Sequence, residues 1–138
     1  MKSKKIHAFW VAILLSLSVS HAVMAASPKS IDVLQVASLQ NSGALLLDVR
    51  ELDEYAEAHA PNSTLIPLGQ LPQRLQELGA DKSRPVILIC RSGRRSAAAQ
   101  ALLEVAGFTT LTNVEGGMIS WQKAGLPVLT GAAKSTKE

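Results

Sequence analysis

Residues 85–90 read Pro-Val-Ile-Leu-Ile-Cys, apolar at both alternating parities. A strand with one wet face alternates apolar with polar, so a run apolar on both sides predicts a strand covered on both faces. That is the condition of a parallel sheet between helical layers. A second run, Ala44-Leu45-Leu46-Leu47-Asp48, has the same character. Two such strands fit a sheet buried on both faces, and their alternation with helical patterns suggests a mostly parallel sheet covered by helices.

The rest of the chain supplies the remaining elements. Weaker strand candidates are Ser30-Ile31-Asp32, Ser63-Thr64-Leu65-Ile66 and Thr109-Thr110-Leu111-Thr112. Helical patterns run over 51–58, over 71–78 with Leu71, Leu75 and Leu78 spaced for one face, over 96–105 ending at Gly107, and over 118–123 ending before Gly125 and Pro127. The expected fold is α/β: a mostly parallel sheet of about five strands with helices on both faces, in one domain over 30–130. A short linker, 26–29, precedes it, and a polar tail, 131–138, follows.

The first 25 residues are expected to lie outside that domain. Lys2, Lys4 and Lys5 precede an apolar run from about Ala8 to Val19, with small residues from Ala22 to Ala26. This order is that of a cleaved signal peptide. The run is about 12 residues, short of the ~20 that span a bilayer. Cleavage is expected before Ala26, with a cut after Ser20-His21-Ala22 as the alternative, and the mature protein is expected in the periplasm without stable membrane association.

Cleavage changes the charge balance. The whole chain has a net charge of +3 and a pI near 9.2. Of its 14 basic residues three are those lysines, and the eleven that remain equal the 11 acidic ones. A neutral mature protein gives no basis for nucleic-acid binding.

Cys90 is the chain's single cysteine, so no internal disulfide can form. It ends the strongest strand, where open parallel sheets place ligand sites. The segment Arg91-Ser92-Gly93-Arg94-Arg95 must then turn into a helix near Ser96, with Gly93 supplying a positive φ. A turn of that kind aims successive N–H groups inward, and a thiolate at its centre is stabilised relative to the thiol. Arg91, Arg94 and Arg95 would attract an anionic substrate. The candidate site is therefore Cys90 as nucleophile, with Arg91, Ser92, Gly93, Arg94 and Arg95 binding the substrate.

With these residues in place, the chain resembles the rhodanese family of sulfurtransferases, in its single-domain exported type, over roughly 30–127. The resemblance rests on Leu47-Asp48-Val49-Arg50-Glu51, on His59 with Pro61 and Ile66-Pro67, on Cys90-Arg91-Ser92-Gly93-Arg94-Arg95-Ser96, and on Glu115-Gly116-Gly117 with Trp121 and Gly125-Leu126-Pro127. Ala60 and Asn62-Ser63 depart from the family's pattern after the histidine.

The resemblance implies transfer of sulfur from thiosulfate or another sulfane-sulfur donor to cyanide, a thiol or a thiol protein. It implies a Cys90 persulfide, no metal or organic cofactor, and a monomer. Asp48, Arg50 and His59 are expected in structural roles, Gly116 and Gly117 at a close backbone approach, and Trp121 in packing. Two alternatives stay open: a persulfide carrier or binding module, and a phosphatase or arsenate reductase on the same fold. In the latter the cysteine loop is longer by one residue, with its arginine six positions after the cysteine, where this chain has Ser96.

Overall fold

The computed structural model describes residues 29–133. The predicted leader, most of the linker and the end of the tail (residues 134–138) lie outside them. Strands β1 (Ser30–Ile31), β2 (Leu45–Asp48), β3 (Ser63–Leu65), β4 (Val86–Ile89) and β5 (Leu111–Val114) form one sheet in the order β1-β5-β4-β2-β3. Every pairing in it is parallel. The α-helices are α1 (Val36–Asn41), α2 (Leu52–Glu57), α3 (Arg94–Val105) and α4 (Gly117–Lys123).

The two-parity apolar pattern does what it predicts. Along β2 and β4, Leu47, Val86, Leu88 and then Cys90 enter one core with Ala99 and Leu103 of α3, while Leu46, Ile87 and Ile89 enter a second with Val36 of α1 and with Met118 and Trp121 of α4. Helices therefore cover both faces, as expected. Burying each such aliphatic side chain contributes roughly 1.5–3 kcal/mol, and the central strand β4 has all four residues buried.

Three expectations change. The segment 71–78 is not an α-helix but part of two 3₁₀ segments, Leu68–Gln73 and Leu75–Leu78, with Pro72 inside the first. Proline lacks the N–H and crowds the preceding turn. The leucines still face the core, with Leu71 and Leu78 buried and Leu75 packed against them. The last strand spans 111–114 rather than 109–112, and α3 begins at Arg94, two residues before Ser96.

Helix α1 and the 3₁₀ turn Val33–Gln35 before it are additional. They start on a reciprocal cap: the Asp32 carboxylate accepts the N–H of Leu34 at 2.8 Å, and the Gln35 side chain accepts that of Asp32 at 3.1 Å.

One buried ion pair joins β2 to α2. Asp48 is fully buried and Arg50 nearly so, and their closest contact is 2.7 Å. The Arg50 guanidinium also donates to the carbonyls of Glu54 at 3.2 Å and Ala58 at 2.9 Å, so it satisfies backbone acceptors of α2 and its C-terminal end. His59 closes the same region, with Nδ1 2.7 Å from the Tyr55 carbonyl and its ring stacked on Tyr55. The Arg50 and His59 side chains are thus spent on backbone carbonyls of α2 and its C-terminal end.

Removing Arg50 would leave the Asp48 carboxylate buried without its partner, an arrangement that costs about 3–5 kcal/mol. Arg50→Ala should therefore lower the urea midpoint by an amount equivalent to that range; a loss below about 1 kcal/mol, the size of a surface pair, would contradict the assignment.

Candidate active site

Cys90 follows the last residue of β4 and is almost completely buried. The chain leaves it through Arg91 and Ser92, both exposed, and reaches Gly93, whose φ of 97° lies in the left-handed region. Gly93 is the N-cap of α3. Only glycine adopts that conformation without strain, and the turn it makes brings its own N–H to 3.0 Å from Cys90 Sγ. The hydroxyl of Ser96, fully buried in the first turn of α3, donates to the same sulfur at 3.3 Å.

These donors set the state of the thiol. Burial pushes its pKa up, because it disfavours the charged form. The Ser96 hydroxyl and the amides of Ser96, Ser92 and Gly93 act against that and outweigh it, so the thiol lies below its ordinary value. The loop thus stabilises the thiolate relative to the thiol without a histidine base.

The carbonyls of the loop turn the other way. Cys90 O accepts the N–H of Met118 at 2.8 Å and Arg91 O that of Ile119 at 3.1 Å, both at the start of α4. This requires α4 to touch the loop directly. Gly117, with φ 53°, makes it possible: a Cβ there would stand 2.2 Å from Cys90 O and 2.7 Å from the Arg91 carbonyl. The close approach expected of Gly116-Gly117 is therefore made by Gly117 against the cysteine loop. Trp121 packs in the core and donates to Pro127 O at 2.9 Å.

The arginines divide. Arg91 and Arg94 are exposed, and Arg91 lines a cleft of about 200 Å³ with Arg50, Glu54, Glu57, Met118 and others. Arg95 is committed: its guanidinium holds the Glu54 carboxylate through two contacts of 2.6 and 2.7 Å. This bidentate pair holds the Glu54 pKa at about 2. Arg95 therefore meets an incoming anion as half of a neutralised pair. A wider cleft of about 300 Å³ between Asp32–Leu34 and Ser120–Ala124 includes no residue of the cysteine loop.

Ser96 and Glu54 were not among the expected site residues. Ser96 carried a signal, since it stands six positions after the cysteine, where the phosphatase pattern has arginine. Glu54 carried none, because its partner is 41 residues away.

The thiolate is present above the lowered thiol pKa and is lost as the pH falls through it. Ser96→Ala removes a donor to the charged form, so the acid limb of alkylation by iodoacetamide should move to higher pH. An unmoved limb would remove Ser96 from the site. Gly117→Ala should slow alkylation at neutral pH in a folded protein by displacing the loop, and alkylation at the parent rate would show that the approach is not needed.

The residues 32–124 match the Rhodanese-like domain model. A putative sulfurtransferase, YtwF of Bacillus subtilis, is 43% identical over 77 residues, which are 56% of this chain and 72% of that protein. A sulfurtransferase of Allochromatium vinosum is 38% identical over 85 residues, 62% of this chain and 78% of that one. The chain spans 40% of the putative sulfur carrier protein YrkF of Bacillus subtilis, at 42% identity over 76 residues. Among solved structures, a rhodanese-related protein of Thermoplasma volcanium superposes with a TM-score of 0.65 at 34% identity, covering 73% of this chain and 97% of that one. The match runs from the cap at Asp32 to the end of α4 and so takes in β2 to β5 and the cysteine loop, and the chain belongs to the rhodanese family of sulfurtransferases.

Proposed function

We propose that the protein is a thiosulfate:acceptor sulfurtransferase that works through a persulfide on Cys90. The observation that carries this is the Cys90 sulfur itself, which ends β4 and accepts the Gly93 N–H and the Ser96 hydroxyl. Sulfur transfer in general follows from the family. The donor, the acceptor and the covalent intermediate are the proposal.

In the first half-reaction the Cys90 thiolate attacks the outer sulfur of thiosulfate. A bond forms between the two sulfurs, the sulfur–sulfur bond of thiosulfate breaks, and sulfite leaves with the bonding electron pair. In the second, cyanide or a thiolate attacks the outer sulfur of the persulfide, and the Cys90 thiolate leaves. This is double-displacement covalent catalysis with no net redox change. The inward amides stabilise the anion on the cysteine both as thiolate and as persulfide, while exposed Arg91 and Arg94 raise the local concentration of the dianionic donor.

The phosphatase alternative loses support at the same atoms. The sixth position after the cysteine is Ser96, whose hydroxyl is directed at the sulfur, and Arg95 is held by Glu54. Neither offers a free fork for three phosphoryl oxygens. The carrier reading keeps one supporting observation, the similarity to a putative sulfur carrier protein. Multiple turnovers with a small acceptor distinguish a catalyst from a carrier that discharges only to a protein.

We also propose that the chain acts after export, as the order of residues in 1–25 suggests; N-terminal sequencing of the periplasmic fraction should begin near Ala26, and recovery of the intact chain from membranes would overturn it.

Cys90→Ser keeps the volume and removes the polarizable nucleophile. The folded variant should form no thiocyanate from thiosulfate and cyanide, where the parent turns over repeatedly. Turnover by Cys90→Ser, or hydrolysis of aryl phosphates by the parent faster than its consumption of thiosulfate, would refute the proposal.

A further inference from the structure

The amides of the cysteine loop face the sulfur because its carbonyls face away, and an outward carbonyl in a packed loop needs a donor. Three such carbonyls have donors. Cys90 O and Arg91 O are held by backbone N–H groups of α4, which any sequence with the same backbone would supply. The third, Gly93 O, accepts the Ala97 N–H of the first helical turn at 3.1 Å and, from outside the helix, the side-chain amide of Asn113 at 3.1 Å. That last contact depends on one side chain.

Asn113 is an unexpected residue for its place. It sits in β5, between Thr112 and Val114, hydrogen-bonded in the parallel sheet to both β1 and β4. Asparagine is disfavoured in strands. Its Oδ1 is buried without a hydrogen-bond partner, and an unsatisfied buried acceptor is destabilising. The fold alone therefore has no use for an amide at this position. What the amide does make is the bond to Gly93, the one loop residue whose backbone is least restrained by its own side chain and whose N–H touches Cys90 Sγ.

We propose that Asn113 is a positioning residue for sulfur transfer: by anchoring Gly93 through its carbonyl, it restrains the φ and ψ of the glycine whose N–H, on the other side of the same Cα, lies on Cys90 Sγ, at a cost to the stability of β5. It acts through Gly93 and touches neither the sulfur nor an incoming donor.

Its effect on turnover rests on the persulfide mechanism above, but its effect on the thiol does not, so the two are separable. Asn113→Val places a strand-forming residue in β5 and removes the unpaired acceptor. The variant should unfold at a urea concentration equal to or above the parent's, while the acid limb of its iodoacetamide alkylation moves to higher pH. Thiosulfate-dependent turnover should fall by about tenfold to a hundredfold, the size of effect that misplacement of a reacting group produces.

Asn113→Asp keeps the shape but presents only acceptors to Gly93 O, and its alkylation limb should also move to higher pH. A folded Asn113→Val or Asn113→Asp with the parent's alkylation profile would overturn the proposal, whatever its turnover. A shifted profile in the variants, together with a parent that forms no persulfide, would leave the positioning role standing and refute only the mechanism.

Discussion

A sulfur atom buried at the end of a strand holds a negative charge only if donors converge on it, and here the convergence is the work of a few peptide groups. The Gly93 N–H and the Ser96 hydroxyl reach Cys90 Sγ because the chain reverses within three residues and enters α3 at once. Most of the architecture around the site serves that reversal. Strand β4, buried on both faces, delivers Cys90 to the edge of the core; α3 supplies the first-turn donors; α4 is pressed against the loop at Gly117 and takes up its carbonyls. Burial opposes the charge, and the donors prevail.

The charged groups around the loop form a graded set. Asp48 and Arg50 are buried against each other and brace α2 from below. Glu54 and Arg95, half-buried, link α2 to the start of α3. Basic residues at a helix start oppose its dipole, and Glu54 offsets that for Arg95. Arg94 and Arg91 are left exposed. This gradient separates the positive charge that holds the scaffold from the positive charge available to an anion.

Much of this was legible in the sequence, for identifiable reasons. Strands β2 and β4 announce themselves because a two-sided environment leaves no room for polar residues. Cys90 and Gly93 are legible because strand, nucleophile, glycine and helix follow one another along the chain. The segment 68–78 misled because leucine spacing says which side is buried but not how the backbone is hydrogen-bonded, and Pro72 decided the second question. Helix α1 was hidden by Val33 and Val36, residues that suit strands, although Asp32 and Gln35 already carried the cap of the 3₁₀ turn that leads into it. Glu54 and Asn113 escaped because each acts on the loop from 20 or more residues away along the chain, through contacts that only the assembled sheet creates; for Gly117 the close approach was legible but its partner, the cysteine loop, was not.

The central claim is that the loop stabilises the Cys90 thiolate, which takes a single sulfur. The most direct measurement incubates the parent with thiosulfate and no acceptor, follows the sulfite released, and locates any added mass by peptide mass spectrometry. One sulfite per chain, with one additional sulfur on the peptide that contains Cys90, is the expected result. A folded protein that releases no sulfite and leaves Cys90 unmodified would contradict it.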